Sequence, residues 1–307
     1  MRSRIAIGIA GTLALSSCLA LAGTASAVAP DARPAGHHAH HKHFATGLDL
    51  AALKAAHQHA LRPAAAAATV QALNAIAPFA RSGAAPASAD LTQYALSPGD
   101  QGQVGSCVTW ATGYTGYGVL MNEQGISGAP MAPMYIYSQI AQGNDTGTYA
   151  SVALPMEQQQ GIDTQSDYWQ GTTDYTTQPD ANETANAANY RLSGFVALPT
   201  SGPAARTAIE NAISRGEPVP IGFTVQQSFM DLNSQTASDY SYLPGDSGSD
   251  PVVGGHEITI VGYTDQGVTI ENSWGTDSWG NGGFANLPWS FFDAGVVDEA
   301  HAMGKLA

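Results

Sequence analysis

The chain of 307 residues contains two cysteines. One of them, Cys107, stands in the stretch "DQGQVGSCVTWATGYTGYG", where Gly105 and Ser106 lead into a segment that reads as a helix. A cysteine in the first turn of a helix gains thiolate stabilisation from the helix dipole. A thiol nucleophile needs further help. A histidine must hold the thiolate and later protonate the leaving group. That histidine needs an acceptor for its other ring nitrogen. The tetrahedral intermediate needs donors aimed at its oxyanion. His256 opens "GGHEITIVGY" and Asn272 closes "GVTIEN". The side-chain amide of Gln101 and the backbone N–H of Cys107 are candidate oxyanion donors. Each residue also has an ordinary reading: Cys107 as buried filler, His256 as a satisfied strand residue, Asn272 as a turn former. The combination is what carries the chemistry.

The elements that must position this set are legible in outline. Residues 106–122 read as a helix, weakened by Gly113, Gly116 and Gly118 at about 1 kcal/mol each. Such glycines make sense where neighbours press close. "APMYIYSQI" reads as a second short helix, and Thr207 to Arg215 as a third, stopped by Gly216. "PVPIGFTV" reads as a strand. "HEITIVGY" and "GVTIEN" read as two strands across the turn Thr264-Asp265-Gln266-Gly267, a hairpin that brings His256 beside Asn272. Helices precede strands, which predicts an α+β fold. No internal repeat is present.

The N-terminus is a different material. Residues 1–27 carry Arg2 and Arg4, an apolar run and the small-x-small ending Ala25-Ser26-Ala27, and read as a secretory signal peptide. Cys18 sits in a lipobox-like "LSSC", which leaves lipoprotein anchoring as the alternative to a secreted or periplasmic protein. Either way Cys107 is the single thiol of the mature chain, and no intramolecular disulfide is expected. Residues 28–90 hold His37, His38, His40, His41, His43, His57 and His59, with helical propensity around Leu48, Leu50 and Leu53 and again at Val70, Leu73 and Ile76. They read as a pro-segment or a linker, with metal capture by the histidines as a weaker alternative. The segment has five basic and three acidic residues, whereas residues 91–307 have four basic and 22 acidic ones. A surface like that repels nucleic acid and anionic lipid. The charge contrast predicts electrostatic docking of 28–90 on 91–307.

From Gln93 to Leu287 the chain resembles the papain-like cysteine peptidases, in a disulfide-free form. "QGQVGSC" is similar to the family's Gln-Gly-x-x-Gly-Ser-Cys, "GGHEITIVGY" to the segment carrying the catalytic histidine, and "ENSWGTDSWGNGGF" to its Asn-Ser-Trp-Gly run. The separation of Cys107 and His256 is close to that of papain-type enzymes. The resemblance implies a two-lobed fold, with a helical lobe bearing Cys107 and a β-barrel-like lobe bearing His256 and Asn272. It implies Gln101, Cys107, His256 and Asn272 as the catalytic set. Trp274 would shield the histidine–asparagine bond, and Trp279 would be packing. Gly147, in "NDTGTY", is a candidate for the glycine that holds the substrate backbone; otherwise it is a turn glycine. The residue after the histidine is commonly small in this family and walls a side-chain pocket. Here it is Glu257, either a negative wall admitting arginine or lysine or a solvated strand-end carboxylate. Val108 replaces a usual aromatic residue, Val104 a usual disulfide cysteine, and the usual inhibitory helix pattern is missing from residues 28–90. The expectation is an exported cysteine peptidase, domain 91–307, acting as a monomer on polypeptides through an acyl-thioester, without metal or cofactor. The alternatives are an acyl transferase or peptide ligase using the same residues, and a non-catalytic binding protein on this scaffold.

Overall fold

The computed structural model describes residues 42–57, 66–79, 83–245 and 249–307. Residues 1–27 with Cys18, and His37, His38, His40, His41 and His59, lie outside the described residues. The helices are α1 (Leu50–His57), α2 (Ala66–Ile76), α3 (Cys107–Thr109), α4 (Tyr117–Gln124), α5 (Pro133–Ala141), α6 (Ala150–Gln159), α7 (Ala181–Ala187), α8 (Gly202–Ile213) and α9 (Gln227–Met230). The strands are β1 (Ala89–Asp90), β2 (Phe195–Ala197), β3 (Val219–Gln226), β4 (Val252–Tyr263), β5 (Gly267–Glu271), β6 (Phe284–Pro288) and β7 (Val297–Met303).

Two apolar cores divide the structure. The first gathers Cys107, Val108, Tyr117, Leu120, Met134 and Leu154 from the helices of the N-terminal half. Helices α3 and α4 are joined by a π-helical stretch, Trp110–Gly116, so the chain stays helical from Cys107 to Gln124 and stops at Gly125 in the left-handed region. The glycines predicted to admit close neighbours do so. A methyl on Gly113 would stand 2.5 Å from Ile162, and one on Gly116 would stand 2.4 Å from the Met303 sulfur.

The second core lies around the sheet and α8, with Phe223, Ile258, Ile260, Trp274, Trp279 and Phe291 among its members. The sheet runs β2-β7-β3-β4-β5-β6, with β1 added on β4, and every pairing is antiparallel. Among the described residues its two ends do not pair, so the β lobe is an open sheet rather than a closed barrel. Strand β4 is buried from Gly255 onward because both of its faces are covered. On the helix side, the Thr259 hydroxyl donates to the Ala111 carbonyl at 2.8 Å. The helix predicted from Thr207 starts earlier, at Gly202, where Pro203 suits the first turn.

The described part of residues 28–90 folds with the rest; the compact unit begins at His41. Helix α2 lies on α8 and β2 and buries Leu73 fully in the sheet core. Arg215, itself buried, donates from Nε to Asn74 at 2.7 Å, and the Lys305 N–H donates to the Ile76 carbonyl at 2.7 Å. Strand β1 then pairs with β4. A helix cemented in this way contributes to global stability. Leu73→Ala is expected to lower the unfolding free energy by about 2–5 kcal/mol, the range for a buried leucine truncation. Denaturant unfolding of a Cys107→Ser background, which cannot digest itself, measures it. A loss under about 0.5 kcal/mol, the scale of surface substitutions, would show that α2 is not part of the core.

Candidate active site

Cys107 is placed by the turn before it. Ser106 has φ −104° and ψ 15°, outside the helix, and its carbonyl accepts the Trp110 N–H at 3.1 Å. The preceding loop is held from two sides. The Gly105 N–H donates to Asp145 Oδ1 at 3.0 Å, and the Tyr137 hydroxyl donates to the same oxygen. Gln101 donates from Nε2 to the Val104 carbonyl at 2.9 Å and accepts the Ser273 hydroxyl at Oε1, 2.8 Å. The Gln101 N–H also donates to the Ser273 carbonyl at 2.9 Å. The Gln101 loop is thereby tied to the residue following Asn272. One hydrogen of the Gln101 amide is used; an NH2 group has a second.

His256 and Asn272 meet as the hairpin requires. His256 Nε2 lies 2.7 Å from Asn272 Oδ1. The same oxygen accepts the Ser273 backbone N–H at 2.7 Å. A backbone N–H only donates, so the atom it meets is the carbonyl oxygen, and His256 Nε2 must carry the proton. In the neutral ring the lone pair then sits on Nδ1, which is buried with no hydrogen-bond partner among the described residues. Trp274 stacks on the imidazole, centroids 4.2 Å apart and planes at 20°. Trp279 sits one ring further, edge-on to Trp274, and donates from Nε1 to the Phe229 carbonyl at 2.7 Å. The backbone N–H of Glu257, next to His256, faces the Cys107 sulfur together with those of Val108 and Cys107.

Nothing of Cys107 or His256 is exposed, because the chain's own segment crosses the cleft. Phe44 stacks on the outer face of Trp274 at 4.6 Å, and the Ala45 carbonyl accepts the Trp274 indole N–H at 2.9 Å. The N–H groups of Gly47 and Leu48 both donate to the Gly255 carbonyl at 3.1 Å, on the histidine side. On the helix side, Thr148 donates to the Gly47 carbonyl and accepts the Asp49 N–H, each at 2.9 Å. Gly147, at φ 77°, lies under this strand; a methyl there would stand 2.2 Å from the Gly47 carbonyl oxygen. Its N–H donates to the Tyr137 hydroxyl at 3.1 Å. Among the described residues the hold is apolar contact and backbone hydrogen bonding, and the Lys42 ammonium donates to a backbone carbonyl, that of Ser278, at 2.7 Å; most of the basic residues and histidines behind the expected electrostatic docking lie outside the described residues.

This cover sets the electrostatics. Burial pushes the Cys107 thiol well above its ordinary range, and the Glu257 carboxyl adds to the push; the three backbone N–H groups oppose it. Burial also lowers the His256 imidazole to about 4, against the pull of its bond to Asn272. Burial thus disfavours the charged form of both thiol and imidazole. Glu257 is not solvated at a strand end: it is fully buried between β3 and the helical lobe. Sequence reasoning missed Asp145, Tyr137, Thr148, Gly255 and Glu299. Asp145 stands inside the "NDTGTY" segment, but nothing local to it points to Gly105.

A family model described as papain family cysteine protease matches residues 85–301. No curated protein matches the chain. Among solved structures, xylellain, a cysteine protease from Xylella fastidiosa, is similar at 21% identity and a TM-score of 0.63, over 73% of this chain and 88% of that one. Digestive procathepsin L 3 of the Tenebrio molitor larval midgut is similar at 19% identity and 0.54, over 78% and 79%. The Carica candamarcensis cysteine protease CMS1MS2, solved in complex with E-64, is similar at 18% identity and 0.53, over 72% and 99%.

Proposed function

The chain belongs to the papain family of cysteine proteases, and on that premise we propose that it hydrolyses peptide bonds at Cys107 and is made as a zymogen closed by its own residues 42–57. Cys107 gives its proton to His256 Nδ1 and its sulfur attacks the peptide carbonyl carbon. The oxyanion is met by the free hydrogen of the Gln101 amide and the Cys107 N–H. His256 returns the proton to the departing amine, leaving an acyl-thioester. Water, deprotonated by His256, then attacks the thioester carbon and releases the acid and the thiol. Asn272 keeps the imidazole in the tautomer and orientation that both steps need, and Trp274 keeps water off that bond.

The observation that carries this reading is the ring of His256. It is fixed at Nε2 by Asn272, stacked on Trp274, and without a hydrogen-bond partner at Nδ1 among the described residues. A binding protein on this scaffold gains nothing from an aligned, unpartnered base. The leader of residues 1–27 supports export, with the acidic mature surface keeping the enzyme off nucleic acid.

The zymogen reading rests on the strand over the cleft. It denies a substrate the edges at Gly255 and Thr148 and buries thiol and imidazole, which disfavours their charged pair. The expected result is that an epoxide thiol reagent labels Cys107 slowly in the intact chain and fast after the segment is removed. Peptide hydrolysis should rise in parallel, and an added amine should leave water as the main acceptor. Fast labelling without any hydrolysis would sink the peptidase assignment.

A further inference from the structure

The helix that carries Cys107 meets the sheet along a seam that side-chain hydroxyls cross in both directions. From the sheet, Thr259 of β4 donates to the Ala111 carbonyl at 2.8 Å. From the helix, Thr115 donates to Glu271 Oε1 of β5 at 3.0 Å. All four residues are buried. On the helix side Cys107, Ala111 and Thr115 stand four residues apart. The stretch Trp110–Gly116 is π-helical, wound more widely than an α-helix, which keeps that spacing close to one face. On the sheet side Thr259 and Glu271 are opposite each other in the β4–β5 ladder and share a face. Glu271 directly precedes Asn272, and Thr259 lies three residues after His256. The seam therefore joins the helix of the nucleophile to the two strands that bring the base and its orienting amide. Away from the seam the same helix is held within its own lobe, where the Thr112 hydroxyl donates to Glu157 of α6 at 2.6 Å.

Glu271 is an expensive residue to place there. Its second oxygen is buried without a hydrogen-bond partner among the described residues. Burial raises the carboxyl to about 8, against the pull of the Thr115 hydroxyl. A leucine would fill the position without burying a polar group. What the carboxyl adds is an acceptor at the point where Thr115 arrives.

Resting on the peptidase reading, we propose that Thr259 and Glu271 are positioning residues, which act through Ala111 and Thr115 to set His256 and Asn272 in register with Cys107. Apolar contact between a helix and a sheet is non-directional and tolerates sliding. Two hydrogen bonds set apart along the helix resist both a slide and a rotation of one lobe on the other. That matters here because reacting groups must be held within about 0.5 Å of their productive geometry, and a misplacement of about 1 Å can lower a rate about 100-fold.

The test removes each bond and then restores it. Thr259→Val keeps the shape and loses the donor; Glu271→Leu keeps the bulk and loses the acceptor. Each is expected to lower kcat for a peptide amide about 10- to 100-fold. KM should stay within about twofold, as for an interaction that matters only in the transition state. Thr259→Ser and Glu271→Gln, which bring back the hydroxyl and the acceptor, should return kcat to within about threefold of wild type. The second readout is epoxide labelling of Cys107 in the unprocessed full chain, where the covering strand slows wild type and variants alike. Labelling needs the thiolate that His256 supports. In Thr259→Val and Glu271→Leu the acid limb of its pH–rate profile should therefore move to higher pH, by about half a unit to one unit. A residue that only held the fold together would lower the melting temperature and leave the labelling profile and kcat per labelled site where they were. That outcome overturns the proposal, as does failure of the serine and glutamine variants to rescue. If Thr259→Val and Glu271→Leu do not fold, Thr115→Val is assayed in the same two ways from the helix side. A wild-type chain that labels but cleaves no peptide overturns the peptidase reading instead, and the labelling profile alone then decides whether the seam sets the register.

Discussion

Cys107→Ser is expected to fold normally and to lose at least about 10⁴-fold in kcat, the scale seen when a protease loses a member of its nucleophile–base unit. The serine hydroxyl is a far weaker acid than a thiol, and His256 with its amide partner does not make up the difference. His256→Ala should cost about as much, because the two residues act as one unit. For the same reason the double variant should be hardly worse than either single one. Gln101→Ala should be milder, about 2.7–4 kcal/mol in transition-state stabilisation, since one of two oxyanion donors is lost. Turnover of a peptide amide, with circular dichroism to check the fold, decides the matter. If Cys107→Ser retained more than about one per cent of the activity, a contaminant excluded, the chemistry would lie elsewhere. That threshold stands far above the residual expected once the nucleophile is gone.

Gly47→Ala in the full-length chain is expected to do the reverse and switch the enzyme on. A methyl on Gly47 would stand 2.1 Å from the Gly105 carbonyl oxygen, in the loop leading to Cys107. Neither side has room to yield. Gly105 is tied to Asp145, and the strand is tied by its own backbone to Gly255 and Thr148. The overpacking should cost the closed form about 1–3 kcal/mol. The open form does not feel it, so its population should rise about 5- to 150-fold. The measurement is the rate of epoxide labelling of Cys107 in unprocessed protein, with the lag before peptide hydrolysis as a second readout. A labelling rate equal to wild type would mean that the strand does not gate the thiol. Phe44→Ala provides a graded comparison, because it removes a stacked aromatic pair worth about 0.5–1.5 kcal/mol and introduces no clash.

The candidate catalytic residues Cys107, His256 and Asn272 are readable from the chain because each is placed by something local. A glycine–serine turn starts the helix at Cys107. A four-residue turn joins β4, which carries His256, to β5, which Asn272 directly follows. The glycines of the first helix announce close packing before any partner is known. These are short-range rules of backbone and periodicity, and they survive folding. Other features were settled by packing between distant segments. Electrostatic docking of the N-terminal segment was inferred from charges that lie mostly outside the described residues. Among the described residues, backbone edges at Gly255 and Thr148 and an apolar socket for Leu73 hold the segment. The boundary drawn near Leu91 follows composition, whereas α2 and β1 are sewn into the sheet core. Glu257 looked like a strand end that water could reach. Its burial depends on Glu299 arriving from β7 on the far side of β3, and on Gly222 leaving a gap between them. The same non-local burial sets the protonation of the thiol, the imidazole and both carboxyls. Desolvation is a property of what surrounds a group in space, and no periodicity in the chain encodes it.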